Sequence, residues 1–328
     1  MIPEHVPPEM FRPMNHHWPR LYPLVLIASL AVLLLSSLWP AAQSSWALPF
    51  FVLMMISTGL PHGATDHVID RFQQQRQGNT FAWGRFLGVY LGAMLLYGLA
   101  WTLLPLLSLG LFIVISAYHF GQSQLLYVRG GEQSPLKMAM YLSWGLAVLT
   151  AIVGLHPAES GEVLAALLPG EQWRTLDGVW LPLLGGSAGL GMLLLTVAWR
   201  QGRLSSRAYA LEWLNLGLLL LISWQCSLLV SFAVYFGLWH SLASISAELQ
   251  ILRQEAPGYS VRDFVRAALP FSLISFVGIG LLLGAGYWLA DFVSPYLLFF
   301  MAISVLTLPH MVFMQKFYAV RAEPQAVA

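Results

Sequence analysis

Charge is scarce in this chain. Only 9% of its 328 residues are Asp, Glu, Lys or Arg, against roughly 25% in ordinary soluble proteins. Neither sign is in excess, and a formal net charge of +1 gives no electrostatic footprint for a nucleic acid. Cysteine is nearly missing too. Cys226 stands alone in an apolar stretch, which excludes a disulfide framework and any thiolate-rich metal cluster. No internal repeat or low-complexity segment stands out. The first apolar run has no basic segment of signal-peptide type before it and no convincing small-residue cleavage site after it, so it reads as a membrane helix and not as a cleaved signal.

What fills the chain instead is hydrophobic sequence, 58% of residues at a mean hydropathy of +0.68. That combination points to an all-α, polytopic integral membrane bundle. A hydrocarbon core of about 30 Å needs about 20 apolar residues per helix. By that measure about ten spans are expected, at roughly 21–39, 46–63, 83–104, 106–122, 136–155, 179–199, 207–222, 225–246, 264–289 and 294–314. The tight pairs at 104/106 and 222/225 leave a count of eight or nine open. With ten spans, fifteen of the 16 Lys and Arg residues fall on the side of the N-terminus, and Arg174 alone falls opposite, in a loop with Glu159, Glu162, Glu171 and Asp177. The positive-inside rule then places both termini in the cytoplasm of a cell whose inner (plasma) membrane holds the protein. The expected organisation is a tail over 1–20, one transmembrane catalytic domain over 21–316 and a C-terminal tail over 317–328. The series Gly84, Gly88, Gly92 and the pair Gly284 and Gly286 have the small-residue spacing that lets helices approach closely in lipid.

The stretch GLPHGATDHVID, residues 59–70, ends one of these apolar runs and carries His62, Asp66, His67 and Asp70. It is part of a pattern. His62 ends the second span, His119 (SAYHFGQSQ) the fourth, His240 (YFGLWHSLAS) lies late in the eighth and His310 (TLPHMVFMQKFY) ends the tenth. Even-numbered spans exit on one side, so four helices each bring a histidine to a similar depth, in the cytoplasmic half of the bilayer, with His67 nearer the water. The other histidines fit plainer roles: His5, His16 and His17 in the tail, and His156 before Pro157 as a solvated cap.

Polar groups inside a membrane are costly and mark function. A single such histidine reads as a hydrogen-bonded packing residue, but four at one depth read as a metal centre, since neutral imidazole is the commonest metal ligand and bundle metal sites are built from facing helices. All-nitrogen sites suit iron, copper, nickel or zinc. Five histidines near one depth favour a mononuclear over a di-iron centre, and the chemistry favours iron over zinc only modestly. Asp66 follows His62 by one helical turn, so it either accepts the outer N–H of a ligating imidazole or caps the helix end. Glu248 shares a side with His240 but is expected among headgroups. Glu212, Tyr118, Gln122 and Gln124 are further candidates.

The set PHGATDH, YHFGQSQ, FGLWHS and TLPHM resembles the Brp/Blh family of β-carotene 15,15′-dioxygenases over roughly residues 50–318. The resemblance implies a multi-helix membrane enzyme that holds Fe(2+) by histidines. Such an enzyme uses dioxygen to split the central double bond of β-carotene into two retinals, which feed microbial rhodopsins. Carried onto this chain, it implies that His62, His119 and His240 are catalytic iron ligands. The family often has a second histidine one turn after the third of these, where this chain has Ser244. Either His310 completes the set, or the site keeps three histidines and an extra water, or the chemistry has drifted. The expected metal set is therefore His62, His119, His240 and His310, supported by Asp66, His67, Tyr118, Gln122 and Ser244. β-Carotene dissolves in the bilayer core, so an integral membrane enzyme could take it from lipid. The competing readings are a histidine-lined metal or ion transporter and a non-catalytic, retinal-associated rhodopsin partner. The transporter lacks polar groups through the depth of the membrane and has no evident broken helices or repeats.

Overall fold

A computed structural model describes residues 21–131, 133–167, 177–288 and 295–322. The expected tail 1–20, with His5, His16 and His17, lies outside the described residues, as does Arg174. The described residues form helices and no strand. They are α1 (Tyr22–Leu38), α2 (Gln43–Met54), α3 (Asp66–Arg76), α4 (Trp83–Leu103), α5 (Pro105–Leu125), α6 (Pro135–Gly154), α7 (Pro157–Leu167), α8 (Asp177–Arg200), α9 (Ser206–Gln225), α10 (Leu228–Ala233), α11 (Leu242–Glu255), α12 (Val261–Trp288) and α13 (Pro295–Ala322).

Each of the ten expected spans has a helical rod. Eight helical runs are long and apolar enough to cross a membrane, and α1 is apolar but shorter, at 17 residues. The protein is an all-α polytopic membrane bundle. Helix starts follow local chemistry. Pro105 and Pro135 open α5 and α6, where the missing N–H has no helical acceptor to lose. The Ser205 hydroxyl accepts from Ala208 N at 3.2 Å and caps α9. Outward faces are greasy, with Leu95 on α4, Leu107 on α5 and Leu281 on α12 each at least two-thirds exposed. Such a surface is stable only against hydrocarbon.

The core centres on α6, whose Met140, Tyr141, Trp144 and Ala147 are buried against α5 and α8. Two helices approach closely here. A Cβ on Gly121 would lie 1.9 Å from the Tyr141 carbonyl oxygen, and one on Gly145 would lie 1.9 Å from that of Ala117. Gly84, Gly88, Gly92 and Gly284 face open space instead, and Gly286 meets a Leu298 side chain. The small-residue contact is therefore made by α5 and α6, not by the glycine series the spacing suggested.

Two rods are irregular at one level. The run 40–76 passes from α2 through a wide π-helical turn, Met55–Gly59, and a 3₁₀ turn, Gly63–Thr65, into α3. The run from α10 to α11 passes through π-helical turns over Val234–Ser241. Wide turns free backbone carbonyls and recur at functional sites. The two segments pack together, and the Thr58 hydroxyl donates to the Gly237 carbonyl at 3.0 Å. Helix α13 runs to Ala322 with Phe317 and Tyr318 buried, so helix continues past the expected tail boundary at 317.

Candidate metal centre

The irregular segments carry the site. His62 follows the first π turn, and His240 lies in the second π segment. His119 comes from the last turns of α5, and His310 from the middle of α13, directly after Pro309. All four are buried. Their rings form a closed circuit: His62–His240 at 5.1 Å between centroids, His240–His119 at 4.9 Å, His119–His310 at 5.3 Å and His310–His62 at 4.9 Å. Each of these four pairs meets edge to face and not plane on plane.

Each of three rings has one nitrogen held from outside. His62 Nδ1 contacts the Gly59 carbonyl oxygen and lies 3.3 Å from Ser241 Oγ. His240 Nδ1 is 3.0 Å from Ser123 Oγ. His310 Nδ1 donates to both Asp66 oxygens, at 2.9 and 3.1 Å. Three other nitrogens are unspent. The Nε2 atoms of His119, His240 and His310 are buried and have no hydrogen-bond partner. Buried unpaired nitrogens are penalised by about 1–3 kcal/mol each, and a metal would relieve that penalty. Ligating histidines have this arrangement, with the outer nitrogen fixed by a carbonyl, hydroxyl or carboxylate and the inner one free. His62, His119 and His310 offer nitrogens within 4.8 Å of one another, so these three buried histidines could hold a metal ion. His240 sits against two of them with its own free nitrogen. The residues present fit a nitrogen-ligated divalent metal.

The surroundings are apolar. Phe236 stacks on His240 at 5.6 Å, Phe120 meets the same ring at 4.7 Å, and Tyr318 lies 6.4 Å from His119. Gly63 lets His310 come close, since a Cβ there would lie 3.3 Å from its Nδ1.

The expected supporting residues divide. Asp66 is at the site but pairs with His310 and Tyr90, not with His62, because the chain leaves the regular helix between positions 62 and 66 and the one-turn relation does not hold. Gln122 and Ser244 lie one turn after His119 and His240. Both are buried, with the Gln122 amide nitrogen and the Ser244 hydroxyl unpartnered. His67 and Tyr118 stand apart from the circuit. His67 packs on Trp83 and Phe271 at 5.5 and 4.5 Å, and Tyr118 turns onto Tyr141 at 5.7 Å. Glu248, expected among headgroups, is fully buried and accepts from Thr65 at 2.6 Å. Glu212 instead serves a separate network with Gln124 and Tyr127. Sequence reasoning missed Ser123, Ser241, Tyr90 and the Gly59 carbonyl. Only Ser241, next to His240, carried a local hint.

A groove of about 470 Å³ between α8 and α9, lined by Gly189, Met192, Thr196, Trp213 and Gly217, shares none of these residues. The imidazole circuit therefore carries the functional reading.

The family model for beta-carotene 15,15′-dioxygenase matches residues 53–318. That interval includes all four histidines of the circuit. The chain is also 27% identical over 263 residues to a beta-carotene 15,15′-dioxygenase from uncultured marine bacterium 66A03, an alignment covering 79% of this chain and 90% of that protein. No solved structure matches the chain. With the family model spanning most of its length, the chain belongs to the beta-carotene 15,15′-dioxygenase family.

Proposed function

We propose that this protein splits β-carotene at its central 15,15′ double bond with dioxygen, giving two retinals, at an Fe(2+) held by His62, His119, His240 and His310. The observation that carries the reading is the circuit of four buried imidazoles, three of them with an unspent Nε2, in a chain of this family. Bound ferrous iron would supply dioxygen activation, which zinc does not.

The chain's own residues do the rest. Asp66 holds the proton on His310 Nδ1 and so leaves Nε2 as the donor. The Gly59 carbonyl and Ser123 do the same for His62 and His240. Phe120 and Phe236 wall the site with apolar surface, which excludes water and suits a hydrocarbon substrate. Both product oxygens come from dioxygen, so the reaction requires no reductant and no acid–base pair. Its central demand is that one double bond be held against the metal site. The substrate enters from the bilayer core in which it dissolves. In this reading the site lies near the cytoplasmic face of the plasma membrane, both termini are cytoplasmic, and retinal passes to a rhodopsin.

The test couples metal analysis to activity. The protein is purified in detergent, reconstituted with ferrous iron and incubated with β-carotene in air. Bound iron with retinal formation is the expected outcome. Iron with a product other than retinal would change the cleavage position or the carotenoid. No bound transition metal would sink the proposal.

A further inference from the structure

Glu248 is the least expected group beside the cluster. It lies on α11 eight residues after His240, with Ser244 midway between them. It is fully buried in the membrane-spanning part of that helix. Thr65 donates to Oε2 at 2.6 Å, and Oε1 has no partner. Ser244 Oγ, between Glu248 and His240 along the helix, has none either. No Lys or Arg pairs with the carboxyl among the described residues. A buried carboxylate without a cation is heavily penalised, so a carboxyl here is ionised only where a positive charge stands nearby.

The proposed centre has the complementary problem. Four neutral imidazoles around a divalent ion leave two positive charges in an apolar slab. Asp66, hydrogen-bonded to His310, offsets one. Glu248 is tied by Thr65 to the short turn that joins His62 to Asp66. We infer that Glu248 is the second counter-charge of the metal centre, a positioning residue that sets metal affinity without touching the metal. The inference rests on the metal reading above.

The experiment compares wild type with Glu248→Gln in detergent. Gln keeps an oxygen to accept from Thr65, removes the charge and puts an amide nitrogen in place of the unpartnered oxygen. Metal is stripped with a chelator, then Co2+ and, without air, Fe2+ are titrated back in competition with the chelator. Thermal unfolding of the metal-free proteins is recorded alongside. Glu248→Gln is expected to bind metal about 10–100-fold more weakly, in the range found for residues supporting metal ligands. Its metal-free form should melt no lower than wild type, since Thr65 keeps its acceptor and no ion pair is lost. Glu248→Asp, which keeps the charge, should bind closer to wild type than Gln does. Equal affinity in wild type and Glu248→Gln overturns the inference and leaves the metal reading standing. So does a metal-free Gln variant that melts lower or fails to fold, because that marks a structural role. So does Asp binding more weakly than Gln. A wild type that binds neither ion overturns the metal reading and this inference with it.

Discussion

Two regions of this molecule set imidazoles against backbone carbonyls, and they differ in what is left over. At the far end of α6, His156 has Nδ1 2.6 Å from the Ile152 oxygen and Nε2 2.7 Å from the Cys226 oxygen. Both nitrogens are engaged, and the ring straps α6 to the segment before α10, where a solvated cap had been expected. In the circuit of His62, His119, His240 and His310, Nδ1 of His62, His240 and His310 is engaged, and Nε2 of His119, His240 and His310 is not. The strut is half-buried where the circuit is buried. The decisive difference is the unspent nitrogens, because a buried polar atom without a partner persists only where something else satisfies it.

The contrast can be broken most severely at the circuit. Single changes His62→Ala, His119→Ala, His240→Ala and His310→Ala should each strip most bound metal and abolish product formation, read by elemental analysis after gel filtration and by retinal assay. Full metal content in all four variants would show that the circuit is not the centre. Asp66→Asn should weaken metal binding about 10–100-fold, read by chelator competition, since His310 Nδ1 loses its carboxylate acceptor. An unchanged affinity there would detach Asp66 from the metal. A subtler disturbance is Gly63→Ala, whose methyl would press on His310 at 3.3 Å. It should shift the Co2+ absorption spectrum and lower activity several-fold with metal retained. The smallest effect belongs to the strut. His156→Ala should lower the melting temperature, by a loss of about 1–3 kcal/mol for carbonyls left unpaired, and leave metal content untouched. Loss of metal in that variant would erase the distinction between the two regions.

The histidines were legible because membrane sequence makes polar residues conspicuous. With 9% charged residues, any imidazole inside an apolar run stands out, and the alternation of spans sorts each one by side. Supporting residues were harder to read. Asp66 was expected to serve His62 from one turn away, but the 3₁₀ turn Gly63–Thr65 rotates it toward α13, and it serves His310 across 244 positions of chain. Glu248 looked solvated because it lies near a helix end. Its burial depends on α3 packing against α11, which no local pattern announces.

Composition and periodicity by themselves determined that this chain forms long apolar helices packed as a bundle, and that four histidines come to one level. Those outcomes follow from the length of a bilayer and the penalty on unpaired polar groups, both of which act residue by residue. Only the tertiary structure decided which nitrogens face inward, which glycines let α5 and α6 touch, and which carboxylates stand behind the imidazoles. These depend on the rotation of each helix about its axis and on the wide turns at Met55–Gly59 and Val234–Ser241. That rotation is settled by packing between helices distant in sequence, where lipid offers no solvent contrast to orient one helical face over another.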